Sequence, residues 1–188
     1  MVNQAAGNLS MSAVSAPAVQ LAAANGNIDF TNVGVVDIQG LNALNGNITV
    51  NNTGGIRTSG PVLARSGNVA MTANSPLTIG ADGVSASGDI TLTATNLTSA
   101  GNLTLNGPVV SSGGSVNLTA ANNLVQNSAV KAANQILARS GNLMTFGPGA
   151  TSDGASVVYE LGGVPVQAPP DPTLTGVNTL DTGAVLPG

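Results

Sequence analysis

The chain has 188 residues, enough for one domain with a core, yet it carries only four basic and eight acidic side chains, no Cys and no His. Four cations cannot neutralise a useful number of phosphates, which argues against nucleic-acid binding. Without Cys or His there are no disulfides, no thiolate metal sites and no Ser-His or Cys-His nucleophile, and no apolar run is long enough for a membrane-spanning helix.

The apolar fraction is 42 %, so low charge does not mean disorder. The only aromatic residues are one Tyr and two Phe. The core must therefore be built from Val, Ile, Leu, Ala and Met, which suits a thin, regular interior. The surface must be Asn, Thr, Ser and Gly, as is usual on extracellular β-solenoids.

In chain order, the first residues, Met1-Val2-Asn3-Gln4, show neither a basic n-region nor an apolar h-region. An export leader is expected to lie upstream or to have been removed, unless Met1 is an added start. A phrase then begins to recur: Gly, a small polar residue, an aliphatic residue, a polar or small residue, an apolar residue. It occurs as Gly7-Asn8-Leu9-Ser10-Met11, Gly26-Asn27-Ile28-Asp29-Phe30, Gly46-Asn47-Ile48-Thr49-Val50 and Gly67-Asn68-Val69-Ala70-Met71. It continues as Gly88-Asp89-Ile90-Thr91-Leu92, Gly101-Asn102-Leu103-Thr104-Leu105 and Gly114-Ser115-Val116-Asn117-Leu118. A last copy starts at Gly141-Asn142-Leu143 but runs on as Met144-Thr145-Phe146, which breaks the alternation. Successive glycines lie 19, 20, 21, 21, 13, 13 and 27 residues apart. A fixed period of this size marks a solenoid. Leu63-Ala64-Arg65-Ser66-Gly67-Asn68 also returns word for word as Leu137-Ala138-Arg139-Ser140-Gly141-Asn142, which points to duplication.

Each phrase alternates with period two, so Ile48 and Val50 are expected inside and Asn47 and Thr49 outside. Shorter strand candidates lie between phrases, at residues 55–58, 61–64, 77–79, 83–86 and 108–110, separated by turn residues such as Asn51-Asn52-Thr53-Gly54. Two or three short strands per 19 to 21 residues are the content of one coil. A single coil cannot bury its own apolar face, so coils must stack. About eight coils at about 4.8 Å each give a rod of about 40 Å. The 13-residue spacings are expected to mark either a coil with an extra hairpin or a coil missing a strand. Helix is disfavoured even in the Ala-rich residues 15–25 and 120–137, because Pro17 and Asn122-Asn123 interrupt them. Residues 1–163 thus form the repeat region. Pro165, Pro169, Pro170, Pro172 and Pro187 set residues 164–188 apart as an extended tail, a linker or a C-terminal cap over open strand edges.

These Gly-Asn-(Ile/Leu/Val)-Thr-(Leu/Val) phrases resemble the filamentous haemagglutinin-type exoproteins of Gram-negative bacteria, over residues 7 to 163. Gly101-Asn102-Leu103-Thr104-Leu105-Asn106-Gly107 and Ser112-Gly113-Gly114-Ser115-Val116-Asn117-Leu118 carry the likeness best. The resemblance implies an all-β, right-handed parallel β-helix exported through an outer-membrane transporter. It also implies a location outside the cell or on its surface, and work in adhesion or biofilm formation. The partners implied are host or environmental surfaces and their carbohydrates, or other cells. The long amino-terminal secretion domain of such proteins is not seen, so the chain resembles part of the rod.

Three functional readings follow. The first is a non-catalytic adhesive rod segment. The second is a self-assembling, ice-binding or surface-binding solenoid, with end-to-end association through open edges. The third is a β-helix polysaccharide lyase or hydrolase, which needs clustered carboxylates near a base. The acids are Asp29, Asp37, Asp82, Asp89, Asp153, Glu160, Asp171 and Asp181, and no equivalent sites of neighbouring coils bring three together. Ser128 and Lys131 fit the spacing of a Ser-Lys pair, but in a strand that spacing puts them on opposite faces. The calcium-binding nonapeptide and phosphate loops are absent. No catalytic, cofactor or metal residue is therefore assigned, and no cofactor is expected. The repeated Asn27, Asn47, Asn68, Asn102 and Asn142, with Asp89 substituting, are expected to form a coil-to-coil ladder of stacked amides. Asn-x-Ser/Thr acceptors at Asn8, Asn47, Asn51, Asn96, Asn102 and Asn117 make glycosylation a minor alternative role. Arg65 and Arg139 hold the same place in the duplicated phrase and are expected to close corners with their aliphatic stems.

Overall fold

The computed structural model describes residues 1–166 and the backbone of residues 178–181. Every regular element among them is a strand. Strands follow the register expected of stacked coils, each pairing in parallel with the strand about one coil later. The result is a β-solenoid of about eight turns with three ribbons of strands, called here faces 1, 2 and 3.

Face 1 carries the glycine-led phrases. It stacks Leu9–Val14, Ile28–Asn32, Ile48–Asn52, Val69–Ala73, Ile90–Ala94, Val116–Ala120, Gln135–Ser140 and Ser156–Leu161 in order. Face 2 includes Ile56–Thr58, Leu77–Ile79, Leu103–Leu105, Asn123–Gln126 and Leu143–Phe146. Face 3 includes Val62–Ala64, Val84–Ala86, Val109–Ser111, Ala129–Ala132 and Thr151–Asp153. The first coils are smoother: Val36–Ala43 is one strand that serves both face 2 and face 3, pairing with Ile56–Thr58 and then with Val62–Ala64.

The alternation sorts side chains as the sequence predicts. Ile48 and Val50 are buried, while Thr49 is half-buried and Asn47 exposed. Parallel register turns alternation into columns. Ile28, Ile48, Val69, Ile90, Val116 and Ile136 stand in one line along the axis. Val36, Ile56, Leu77, Leu103, Leu124 and Met144 stand in another. A fully buried side chain of this kind contributes about 1.5–3 kcal/mol, and it reaches full burial only between coils. The interior is therefore aliphatic, with Phe30 the one ring in the early coils.

At the corners before the face-1 strands from Ile28–Asn32 to Val116–Ala120 the coils approach too closely for a side chain. A Cβ on Gly46 would run into the backbone of Gly26, and one on Gly67 into that of Gly46. That contact explains why the phrase begins with glycine.

The register settles the irregular stretch. Along face 1 the chain advances 19, 20, 21, 21, 26, 20 and 21 residues from one coil to the next. The two 13-residue spacings are two parts of one 26-residue coil, and that coil neither gains a hairpin nor loses a strand. Leu103–Leu105 pairs with Leu77–Ile79 on face 2, so the phrase at Gly101 belongs to a different face from those at Gly88 and Gly114. The extra length is the connection at residues 95–102, whose Leu97 is 90 % exposed. Loops that project outward lengthen at small cost. The phrase at Gly141 also lies on face 2, shifted by one residue: Met144 and Phe146 are buried and Leu143 is half-buried.

The carboxy-terminal coil changes character. Phe146 and Tyr159 meet edge to face, with centroids 5.3 Å apart and planes at 88°. Val164–Val166 then pairs antiparallel with Ser156–Leu161, and Asn178–Asp181 antiparallel with Leu143–Phe146. Parts of the Pro-rich segment thus lie back on the last coil. Pro165 stands opposite Glu160, on an outermost strand where a missing N–H is tolerated. Pro169, Pro170, Pro172 and Pro187 lie outside the described residues.

Candidate functional site

The repeated polar residue of each phrase is the most regular feature of the surface. Asn8 Oδ1 accepts from the backbone N–H of Asn27, and Asn27 Oδ1 from that of Asn47, both at 2.9 Å. Asn47 Oδ1 accepts from Asn68 N at 2.9 Å, Asn68 Oδ1 from Asp89 N at 2.7 Å, and Asp89 Oδ1 from Ser115 N at 2.7 Å. This corrects the stacked-amide expectation: the rung joins a side-chain oxygen to a backbone N–H. The physical reason is that the backbone turns at the corner and leaves an N–H that the strand ladder cannot serve. Asp can replace Asn because the rung uses only an acceptor.

Amide-to-amide contacts occur beside the ladder, at Asn25 and Asn45, and at other corners. Asn45 Nδ2 donates to Asn25 Oδ1 at 2.9 Å and Asn127 Nδ2 to Asn106 Oδ1 at 2.9 Å. Asn122 Nδ2 donates to Asn102 Oδ1 at 2.8 Å, and Asn142 Nδ2 to Asn123 Oδ1 at 3.1 Å. Asn102 and Asn142 therefore belong to the corner before face 2, away from the main ladder. Of the Asn-x-Ser/Thr acceptors, Asn96 sits on the protruding connection, where its Oδ1 accepts from both the N–H and the hydroxyl of Thr98.

The carboxylates are dispersed. Asp29 is on face 1 and Asp37 on face 2, so the two do not share a strand. Asp82 and Asp89 lie at opposite ends of Val84–Ala86. Asp153 is beside Lys131 in register on face 3, and Glu160 faces Arg139 on face 1. Asp171 lies outside the described residues, and of Asp181 only the backbone is described. No group of three His, Cys, Asp or Glu able to hold a metal ion occurs among the described residues. Lys131 is exposed on face 3, whereas Ser128 shares the parity of buried Val130.

The arginines part company. Arg57 Nε lies 3.9 Å from Asp37 Oδ1, and Arg139 Nε 2.6 Å from Glu160 Oε2, each bridging neighbouring coils. Arg65 forms no such pair among the described residues. It follows Val62–Ala64 on face 3, while Arg139 lies within Gln135–Ser140 on face 1. The word-for-word duplication is therefore not a structural equivalence. The same local in-and-out pattern serves two faces.

Two ranks of small, mostly polar side chains line the outside of face 1. Asn51, Thr72, Thr93 and Thr119 form one column, and Thr49, Ala70, Thr91 and Asn117 the other. Face 3 is concave instead. One recess of about 260 Å³ involves Asn3, Gln20, Gln39, Asn42, Pro61 and Leu63. A second, of about 250 Å³, adjoins it across Leu63 and involves Arg65, Ser85, Ser87 and Ser112. Sequence reading missed this groove, because it draws a few residues from each of several coils.

Stacked three-faced coils with a polar corner ladder define a β-solenoid repeat protein. The Toastrack DUF4097 family profile matches residues 1–115 of the 188, and the chain belongs to that family. No curated protein and no solved structure matched the chain.

Proposed function

We propose that this chain is a structural, adhesive rod segment of a secreted bacterial surface fibre and that it does no chemistry. The observation that carries the reading is the corner ladder, Asn8 to Ser115, which locks successive coils through side-chain oxygens, all but that of Asp89 uncharged. A device repeated through the first six coils serves the length of a rod, whereas an enzyme concentrates unusual groups at one place. The scatter of Asp29, Asp37, Asp82 and Asp89 over separate strands and corners speaks against a lyase or hydrolase site. The likeness of the phrases to filamentous haemagglutinin-type exoproteins supports export through an outer-membrane transporter. It likewise supports display on a Gram-negative cell and contact with host or environmental surfaces.

Beads coated with the chain should adhere to glycan-bearing surfaces, and the chain should leave a polysaccharide panel uncleaved. Turnover abolished by a single Asp→Asn substitution would overturn the reading. A second reading, a solenoid that binds a flat solid such as ice, draws on the face-1 threonine ranks. Replacing Thr72 and Thr93 with Lys separates the two, since only the flat-surface reading loses binding.

A further inference from the structure

We infer that the groove along face 3 binds a carboxylated glycan, with Arg65 receiving the carboxylate. This deepens the adhesive reading and rests on it. Asn42, Leu63 and Ser85 are register partners on successive coils, so the two recesses meeting at Leu63 run along the rod. From Asn3 through Leu21, Leu41, Val62 and Val84 to Val109 the strands step five times. At about 4.8 Å per step the groove is about 24 Å long.

Its chemistry is uneven in a telling way. The amino-terminal half offers the amides of Asn3, Gln20, Gln39 and Asn42 around Pro61 and Leu63. Asn42 Oδ1 is buried from solvent and accepts no hydrogen bond from the protein. A buried acceptor without a donor is costly, and a turn of the Asn42 side chain toward the recess it lines brings that oxygen within reach of a sugar hydroxyl. The other half offers the hydroxyls of Ser85, Ser87 and Ser112 beside Arg65. No carboxylate lines either recess, although the chain's net charge is −4. Arg57 and Arg139 are tied to carboxylates, whereas the Arg65 guanidinium has none among the described residues and is left to an incoming anion. A guanidinium holds a carboxylate through two parallel N–H bonds.

The alternatives fit less well. Nucleic acid would need several cations along its track. A peptide would seek a free strand edge, which the groove meets only at its end, along Val2–Ala5; the rest of its floor is the outer side of strands paired on both sides. A chain rich in hydroxyls, with one carboxylate near Arg65, meets what the groove presents.

Titration calorimetry of the full chain at low ionic strength tests this, with oligomers of polygalacturonate, alginate and hyaluronate, each beside its carboxyl-reduced form. At least one carboxylated oligomer should bind, and carboxyl reduction should weaken it about tenfold or more. Arg65→Ala should weaken it by a similar factor and Asn42→Ala by less, with circular dichroism unchanged. Arg139→Ala, on face 1, should bind as the parent does. Binding to none of the three oligomers, binding indifferent to Arg65→Ala, or an equal loss in Arg139→Ala would overturn the inference. If the groove inference fails while coated beads still adhere, the rod reading stands; if adhesion fails too, both fall.

Discussion

Asn32 donates its side-chain N–H to Oδ1 of Asn52 across 3.1 Å inside the solenoid, with both residues buried. The pair is fully engaged. Asn32 Oδ1 accepts from the backbone N–H of Ala16 at 2.8 Å, and Asn52 donates to the carbonyl of Gly55 at 2.8 Å. In the next coils the same column holds Ala73, Ala94 and Ala120, then Ser140. The corner therefore accepts either a complete polar network or a small apolar side chain.

This gives a double-mutant prediction. Asn52→Ala alone strands the Asn32 N–H and should cost about 1–3 kcal/mol. Adding Asn32→Ala removes that stranded donor and copies the later coils, so the double variant should lose less than the sum of the two single changes. Urea unfolding of all four proteins measures the coupling. Strict additivity would show that the pair does not act as a unit.

The corner ladder makes a different forecast. Its rungs need an oxygen acceptor, so Asp89→Asn should be nearly neutral in thermal unfolding. Asp89→Ala and Asn47→Ala should each cost about 1 kcal/mol by orphaning one backbone N–H, or about 2–4 °C for a domain of this size.

Close approach at the corner can be tested in one column. Gly67→Ala places a Cβ against the backbone of Gly46, and that backbone cannot move without shifting a coil. Gly7→Ala, at the first coil, meets only Asn25 O at 3.8 Å. The first change should destabilise by about 2 kcal/mol or more and the second by less than about 0.5 kcal/mol. Equal losses would mean that helix-like or strand-like propensity, and not crowding, decides.

Much of the fold was legible because a solenoid writes its structure locally. The alternation of Ile48-Thr49-Val50 needs only near neighbours to be read, and the period supplies the stacking, but the turn expected from Asn51 to Gly54 is confined to Thr53 and Gly54, because Asn51 and Asn52 stay paired in the strand. What was not legible is which face a phrase lies on. Gly88-Asp89-Ile90-Thr91-Leu92 and Gly101-Asn102-Leu103-Thr104-Leu105 follow one pattern, yet they sit on faces 1 and 2. Residues 95–102 decide this through their length, not their pattern. Arg65 and Arg139 differ for the same reason. The groove was invisible because Gln20, Asn42, Leu63 and Ser85 are far apart in sequence and share only a column or its neighbourhood. Asn27, Asn47, Asn68 and Asp89 of the ladder were legible, but Asn102 and Asn142 belong to another corner, and the bonding mode was not legible, since both modes use the same Asn.

Tyr159 offers a prediction with pH. It is buried in the last coil against Phe146, and burial pushes its phenol above the usual tyrosine value, while a hydrogen bond with Ser152 works in the opposite direction. The folded chain thus prefers the neutral phenol. A group whose folded pKa is raised contributes stability that is complete below the unfolded pKa, about 10 for Tyr. That contribution is lost as pH climbs through the folded value. Stability should hold up to about pH 10 and then fall, and Tyr159→Phe should remove this part of the alkaline decline. Because Tyr159 is the only Tyr, its tyrosinate absorbance can be followed without overlap. The midpoint should lie higher in the folded chain than in denaturant. A midpoint at or below the denatured one would mean that this ring is not sealed into the coil by Phe146 and the antiparallel strand at Val164–Val166.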